Sequence, residues 1–175
     1  MLLFLFFLAS ILKSQFYQIF SKPEVKNEYK QELASLAGEA LRTNDVPVGA
    51  IVVYDGNIIG RGYNTVFRNS EAGGHAEINA ISDAMKTVGV NNFMNLNRDS
   101  LELISTFEPC EMCKGAIRLY RIKHVEFLES KPYLDWLGIT LSNYLYEFHK
   151  RQMEPSELQD SLFEMHPDFK SQRFN

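Results

Sequence analysis

The amino-acid sequence predicts an α/β fold, a three-layer α-β-α sandwich with a central mixed β-sheet. Two observations support this prediction: helical patterns alternate with short β-branched strands, and a turn signal joins the first two strands into a hairpin. A hairpin pairs its strands antiparallel, whereas a helical crossover pairs them parallel, so the predicted sheet contains both kinds. At 175 residues, the chain is long enough to bury one ordinary core.

The first 20 residues are largely apolar and begin MLLFLFFLASIL before Lys13. This uninterrupted run is shorter than the ~20 residues of a membrane span, and it lacks the positive start of a secretory signal. Three interpretations stay open: a short membrane anchor, a poor signal peptide, and an apolar arm buried on this protein or a partner. We favour the anchor at residues 1–20 and predict a single domain over residues 21–175.

The first half of the domain reads as a helix followed by a hairpin. Apolar spacing predicts a helix over residues 23–42. Residues 46–54 are rich in β-branched side chains and predict a buried strand. An Asp-Gly-Asn turn at residues 55–57 precedes a returning strand over residues 58–64.

The second half alternates helices and strands. The sequence predicts a helix over residues 75–88, a polar asparagine-rich loop over residues 91–97, and a strand over residues 101–107. A helix over residues 110–119 then crosses to a fourth strand over residues 124–128. Two C-terminal helices are expected beyond, because apolar residues recur there at helical spacing.

The only two cysteines of the chain, Cys110 and Cys113, have the spacing of zinc ligands. On a helix that begins after Pro109, both sulfurs share one face near the N-terminus, where the helix dipole favours thiolate. His75 would complete a three-ligand site with one open position, which is the catalytic type. Glu77, two residues further on, is the candidate general acid and base. A redox role for the cysteine pair is the less favoured interpretation.

Four motifs resemble the cytidine deaminase-like superfamily of zinc hydrolases. They are DVPVGAIVV at residues 45–53, GRGYN at residues 60–64, HAEINAI at residues 75–81 and TFEPCEMCKGAI at residues 106–117. An H-x-E element followed by P-C-x-x-C is the signature of zinc nucleobase deaminases. The resemblance is strongest to the branch that holds the tRNA adenosine deaminases and guanine deaminases, and it runs from about residue 45 to about residue 127.

The resemblance implies a site with one Zn²⁺ per chain and a substrate pocket beside it. Its predicted residues are, for metal, His75, Cys110 and Cys113; for catalysis, Glu77; and for substrate, Asn64, Ala76 and Pro109. A turn-capping role for Asn64 is the alternative to substrate contact. The implied reaction is hydrolytic removal of the exocyclic amino group of a nucleobase, with release of ammonia.

The sequence favours a small substrate: a free base, nucleoside or nucleotide. The net charge is −4, and residues 71–74 read Glu-Ala-Gly-Gly where a tRNA deaminase usually has Asp-Pro-Thr-Ala. Deamination of the tRNA wobble adenosine is the alternative substrate reading. A catalytically silent zinc module that acts by interaction is the alternative of another class.

The partner predictions come partly from the resemblance, which implies a homodimer. Zinc thiolates favour a reducing compartment, so we expect a cytoplasmic protein, tethered to a membrane if residues 1–20 form an anchor. A basic cluster reads more readily as a solvated helix face than as a phosphate-binding stripe. It comprises Lys114, Arg118, Arg121 and Lys123. Tyr133, Trp136 and Tyr144 are expected in the core, with stacking on a base as the alternative.

Overall fold

The computed structural model describes residues 25–131, together with Gly138, Ser142 and Asn143. The chain divides into two units, residues 1–131 and residues 132–175, and the elements below belong to the first. The apolar segment 1–20 and the predicted C-terminal helices lie outside the described residues, and the single domain over 21–175 stays a prediction. Within the described part, no helix is both long and apolar enough to cross a membrane.

Five helices and four strands make up residues 27–129. In chain order they are α1 (Asn27–Arg42), β1 (Gly49–Tyr54), β2 (Asn57–Tyr63), α2 (Val66–Asn69), α3 (Ala76–Val88), α4 (Val90–Asn95), β3 (Leu101–Phe107), α5 (Glu111–Leu119) and β4 (His124–Glu129).

The four strands form one mixed sheet in the order β2-β1-β3-β4. Strand β1 pairs antiparallel with both β2 and β3, while β3 and β4 are parallel and joined through α5. Helix α1 packs on one face, and α3 packs on the other. The predicted three-layer α-β-α sandwich with a mixed sheet is therefore confirmed.

Strand β1 is buried on both faces because its side chains alternate between two apolar clusters. Ile51 and Val53 pack in the cluster that includes Leu33 and the rest of the inner face of α1. Ala50 and Val52 pack in the opposite cluster, under α3 and its neighbours. An unbroken apolar run in the sequence thus marks the central strand of the sheet.

Helix α3 lies unusually close to β2 because two glycines face it. A Cβ on Gly62 would come within 2.2 Å of the Ala76 carbonyl oxygen, and one on Gly60 within 2.3 Å of the Ala80 carbonyl oxygen. Real Cβ atoms do not approach backbone so closely, so these positions accept glycine alone without a shift of the helix. The glycines therefore fix the height of α3, which carries His75 and Glu77 at its start.

Two local predictions need correction, and one short helix was not predicted. Helix α1 begins at Asn27 rather than at residue 23, since Val25 and Lys26 are not helical. The predicted loop over residues 91–97 is wrong, because Val90–Asn95 form α4 around the fully buried Phe93. Burial of that one ring outweighs the low helix propensity of its asparagine neighbours. The short helix α2 was not predicted.

Candidate active site

The ends of two helices bring the predicted metal ligands together. His75 is the N-cap residue of α3, and Cys110 is the N-cap residue of α5. Strand β3 delivers the chain to Cys110 at its carboxyl end, which is where open α/β sheets bind ligands. Cys113 follows one helical turn after Cys110 and is fully buried.

The three ligand atoms have the separations that a tetrahedral zinc ion needs. Cys110 Sγ lies 3.6 Å from Cys113 Sγ and 3.6 Å from His75 Nδ1, and Cys113 Sγ lies 3.7 Å from the same nitrogen. Ordinary Zn–S and Zn–N bond lengths in tetrahedral geometry predict ~3.8 Å between sulfurs and ~3.6 Å between sulfur and nitrogen. The residues therefore fit Zn²⁺, and the predicted ligand set is brought together.

Both cysteines are free thiols, so the pair is not a disulfide. Burial, together with the nearby Glu77 carboxylate and Cys110, raises the pKa of the Cys113 thiol. Burial thus counters the helix dipole that the sequence led us to expect. A cation held between these groups would reverse the effect and keep both sulfurs ionised.

Glu77 lies on the first turn of α3 beside the ligand set. Its Oε2 atom is 3.4 Å from Cys113 Sγ, and the residue is only 4% exposed. A buried carboxylate within reach of a three-ligand metal site can exchange protons with a water molecule there. This is the arrangement that the sequence predicted for Glu77.

Asn64 caps the same helix from the other side of the cavity. Its Oδ1 atom accepts a hydrogen bond of 2.9 Å from the buried Ala76 N–H. Because the oxygen faces that donor, the Nδ2 group of the amide is turned away from it, and no described residue accepts a hydrogen bond from Nδ2. Asn64 thus combines the capping role with a free donor group, so the two alternatives for this residue are compatible.

The other two predicted substrate residues are buried. Ala76 is fully buried and has its N–H engaged by Asn64, and Pro109 is buried with its carbonyl 3.5 Å from Lys131 Nζ. Neither is among the described residues that line the cavity. Contact of Ala76 and Pro109 with substrate stays a prediction.

A cavity of about 310 Å³ opens onto the ligand set. Its inner wall includes Asn64, His75, Glu77 and Cys110. The rim is apolar and exposed: it carries Val46, Phe67 and Phe107, and Phe67 is 69% exposed. The cavity therefore joins the polar ligand end to exposed apolar residues, and the charged residues Asp45, Glu108 and Lys131 also line it.

Asp45 holds α2, the short helix that carries Phe67. Its carboxylate accepts hydrogen bonds from the Phe67 N–H at 2.7 Å, the Arg68 N–H at 3.2 Å and the Thr43 hydroxyl at 2.9 Å. Burial alone would raise the pKa of Asp45, but these hydrogen bonds and the Arg68 charge outweigh it and lower the pKa. The sequence analysis missed this role, although an Asp directly after a helix-breaking Thr-Asn pair is a candidate capping residue.

Glu108 connects the segment that leads to Cys110 with the chain just after β4. It accepts hydrogen bonds from the Lys131 N–H at 3.0 Å and from Lys114 Nζ at 3.2 Å. Burial opposes ionisation, but these donors outweigh it and lower the pKa of Glu108. The geometry gives Glu108 a bracing position rather than a reactive one.

The basic cluster does not form a continuous stripe of unpaired charge. Lys114 is paired with Glu108 and Glu111, and Lys123 is paired with Asp99. These contacts favour the interpretation of a solvated helix face.

Comparison with known proteins identifies a family and several relatives. Residues 23–129 match the model of the cytidine and deoxycytidylate deaminase zinc-binding region. A tRNA-specific adenosine deaminase of Streptococcus pyogenes is 39% identical over 102 residues, which cover 58% of this chain and 61% of that protein. The chain thus spans about three fifths of the length of these curated relatives.

Two solved structures resemble the chain in sequence and fold. Guanine deaminase of Bacillus subtilis is 27% identical, with a TM-score of 0.58 over 79% of this chain and 92% of that one. A tRNA:A34 deaminase studied for A-to-I editing at the wobble position is 28% identical, with a TM-score of 0.53 over 62% of this chain and 75% of that one. Both kinds of relative were anticipated from the four motifs.

Proposed function

Because the chain belongs to the family of cytidine and deoxycytidylate deaminases defined by their zinc-binding region, we propose that it is a zinc-dependent hydrolytic deaminase of a nucleobase. The observation that carries this proposal is the Glu77 carboxylate, which lies buried at 3.4 Å from a ligand sulfur. A purely structural zinc site needs no such carboxylate, and it would have a fourth protein ligand.

The proposed reaction replaces a C–NH2 group of the base by C=O. When bound, Zn²⁺ supplies Lewis-acid activation of water near neutral pH. Glu77 takes one proton from the attacking water and passes it to the ring nitrogen of the base. It then carries the second water proton to the amino group, the C–N bond breaks, and ammonia leaves. No covalent bond to the protein forms.

Asn64 is proposed to orient the base within the cavity. Its Nδ2 group is free to donate to an acceptor on the base, while the Ala76 N–H holds its oxygen in place. Contact of Ala76 and Pro109 with the base stays a prediction, because both residues are buried and neither lines the cavity.

Ammonia release by the purified protein tests the proposal directly. The panel contains adenine, guanine and cytosine as bases, nucleosides and nucleotides, together with unmodified tRNA. Glu77→Gln removes the proton carrier and is expected to lower turnover by at least about 100-fold while zinc stays bound. Glu28→Gln, which makes the same carboxylate-to-amide change at an exposed position of α1, is the matched control.

The outcomes separate the proposal from its alternatives. Turnover that depends on Glu77 supports the deaminase, and normal turnover in Glu77→Gln would refute the role of that residue. Silence across the whole panel from a zinc-loaded protein would instead favour the zinc module that acts by interaction. A Cys110→Ala variant that kept full zinc content would overturn the ligand assignment.

A second candidate places the target base within a tRNA. The exposure of Phe67 at the cavity rim favours this candidate. A free base inside the cavity leaves that ring exposed to water, whereas a neighbouring base of an RNA chain can stack on it. The tRNA-specific relatives point the same way, while the net charge and the guanine deaminase structure favour the small substrate.

Phe67→Ala distinguishes the two substrates. If the base is presented on RNA, kcat/KM on an anticodon stem-loop should fall by about 5- to 100-fold, which matches the loss of one stacking contact. Turnover of a free base should change far less. Val90→Ala, an equally exposed apolar truncation on α4, is the control. The homodimer, the cytoplasmic location and the membrane contact through residues 1–20 stay predictions.

A further inference from the structure

A closed ring of hydrogen bonds surrounds Asn64, the residue proposed to orient the base. The backbone N–H of Asn64 donates to the Val48 carbonyl at 3.2 Å, and its Oδ1 atom accepts from the Ala76 N–H at 2.9 Å. These two contacts fix the residue to the chain just before β1 and to the first turn of α3. They do not by themselves fix the loop on either side of it.

Asn79 supplies the missing contacts from the next turn of α3. Its Nδ2 group donates to the Tyr63 carbonyl at 2.8 Å and to the Thr65 hydroxyl at 3.0 Å. An asparagine amide has two hydrogens, so both are used, one on each neighbour of Asn64. Residues 76 and 79 lie three apart and share a helix face, so one rigid element grips both the side chain and the flanking backbone.

The close packing of α3 on β2 makes this grip precise. The Ala76 carbonyl oxygen lies only 2.2 Å from the place where a Cβ on Gly62 would be, so the start of α3 is in direct backbone contact with the end of β2. The Thr65 N–H also donates to the Gly74 carbonyl at 2.8 Å, which closes the loop between β2 and α3. The orientation of the Asn64 amide therefore depends on Asn79 as well as on Ala76.

We infer that Asn79 is a positioning residue for substrate selection. By holding Tyr63 and Thr65, it keeps the Asn64 oxygen on the helix and the Asn64 Nδ2 group towards the cavity. The cavity then offers a hydrogen-bond donor at this point, and it selects a base that presents an acceptor there over one that presents an amino group. The effect on substrate choice rests on the proposed function, whereas the positioning of Asn64 by Asn79 does not.

Asn79→Asp tests the inference because it keeps the shape and removes the donor. In ¹⁵N-labelled, zinc-loaded protein, the Ala76 amide should exchange with solvent about tenfold faster or more, since the bond to Asn64 opens more often. KM for the preferred substrate should rise about tenfold with kcat changed less than about threefold, as expected for one or two neutral hydrogen bonds.

Two controls separate positioning from general damage. Asn92→Asp makes the same change on α4, where Nδ2 also donates to a backbone carbonyl, that of Val88 at 2.8 Å. Thr65→Ser keeps the hydroxyl that Asn79 binds, whereas Thr65→Val removes it. Asn92→Asp should leave Ala76 exchange and KM unchanged, while Thr65→Val should move both in the direction of Asn79→Asp and further than Thr65→Ser does.

The exchange and kinetic readouts fail in different ways. Unchanged Ala76 exchange in Asn79→Asp, at normal zinc content, would overturn the inference. Faster exchange with an unchanged KM and unchanged preference among bases would overturn the role in selection. Faster exchange in a protein that deaminates nothing would support the grip on Asn64 and count against the proposed function instead.

Discussion

The two faces of the sheet are packed in different ways. On the α1 face, large side chains meet large side chains, as Leu33 and Tyr29 pack with Ile51 and Ile104, and the α1 backbone comes close to the sheet at one glycine, Gly49. On the α3 face, alanines of the helix sit on glycines of β2, so the backbones nearly touch. Large side chains can rearrange around a change, whereas two backbones in contact cannot. The reactive residues are carried by the face on which two glycines of one strand, Gly60 and Gly62, hold the helix against the sheet.

Gly62→Ala should therefore have the largest effect. The new methyl group would come within 2.2 Å of the Ala76 carbonyl and must push the start of α3 off the sheet. A displacement of about 1 Å is enough to lower turnover by about 100-fold, and His75 and Glu77 both move with the helix. Zinc content and ammonia release measure the loss.

Gly38→Ala is the matched control for this prediction. Gly38 lies on α1, and a Cβ there would meet nothing within 4 Å. This variant should keep its zinc and turnover and gain about 0.5–1 kcal/mol of stability, because alanine is the better helix residue. Full turnover in Gly62→Ala would show that the close approach of the backbones does not set the site.

Leu33→Ala addresses the opposite face. Leu33 is fully buried under α1, so its truncation should cost about 2–5 kcal/mol in the free energy of unfolding. Because the lost contacts are on the α1 face, turnover per folded, zinc-loaded molecule should stay near that of the wild type. Urea unfolding and kinetics at low temperature measure the two quantities separately.

The exposed Leu41 on the same helix provides the comparison. Its truncation should change stability by less than about 0.5 kcal/mol, as is usual for surface positions. If Leu33→Ala lost turnover in proportion to Gly62→Ala, the two faces would not be independent, and the division between a supporting face and a site-forming face would be wrong.

The features that the sequence could predict are those with a local chemical or periodic signal. His75, Cys110 and Cys113 were identified because zinc chemistry prescribes residue types and spacing. Strand β1 was identified because burial on two faces leaves an apolar run, as in residues 50–53. Local patterns with a strong chemical or periodic signal survive in the linear sequence.

What the sequence could not predict depends on contacts between distant residues. Helix α4 forms because Phe93 finds a fully buried place, which no local pattern shows. The grip of Asn79 on Tyr63 and Thr65 joins positions 14 to 16 residues apart. Phe67 looks like any apolar residue in the chain, and its exposure at the cavity rim appears only in the fold.

The smallest predicted effect lies at the edge of the α1 face. Glu102 and Glu126 occur on adjacent strands there, and burial and then the Glu126 charge raise the pKa of Glu102. The folded chain therefore binds a proton more tightly than the unfolded chain, so stability falls as the pH rises through the interval above the ordinary glutamate value.

Glu102→Gln removes this ionisation and should stabilise the protein by about 0.2–1 kcal/mol at about pH 7.5, the usual range for a cross-strand pair. Melting curves at about pH 7.5 and about pH 5 should show the gain shrinking at the lower pH, where the wild-type carboxyl is itself more protonated. An equal gain in stability at the two pH values would mean that the packing of Glu102, and not its charge, destabilises the folded protein.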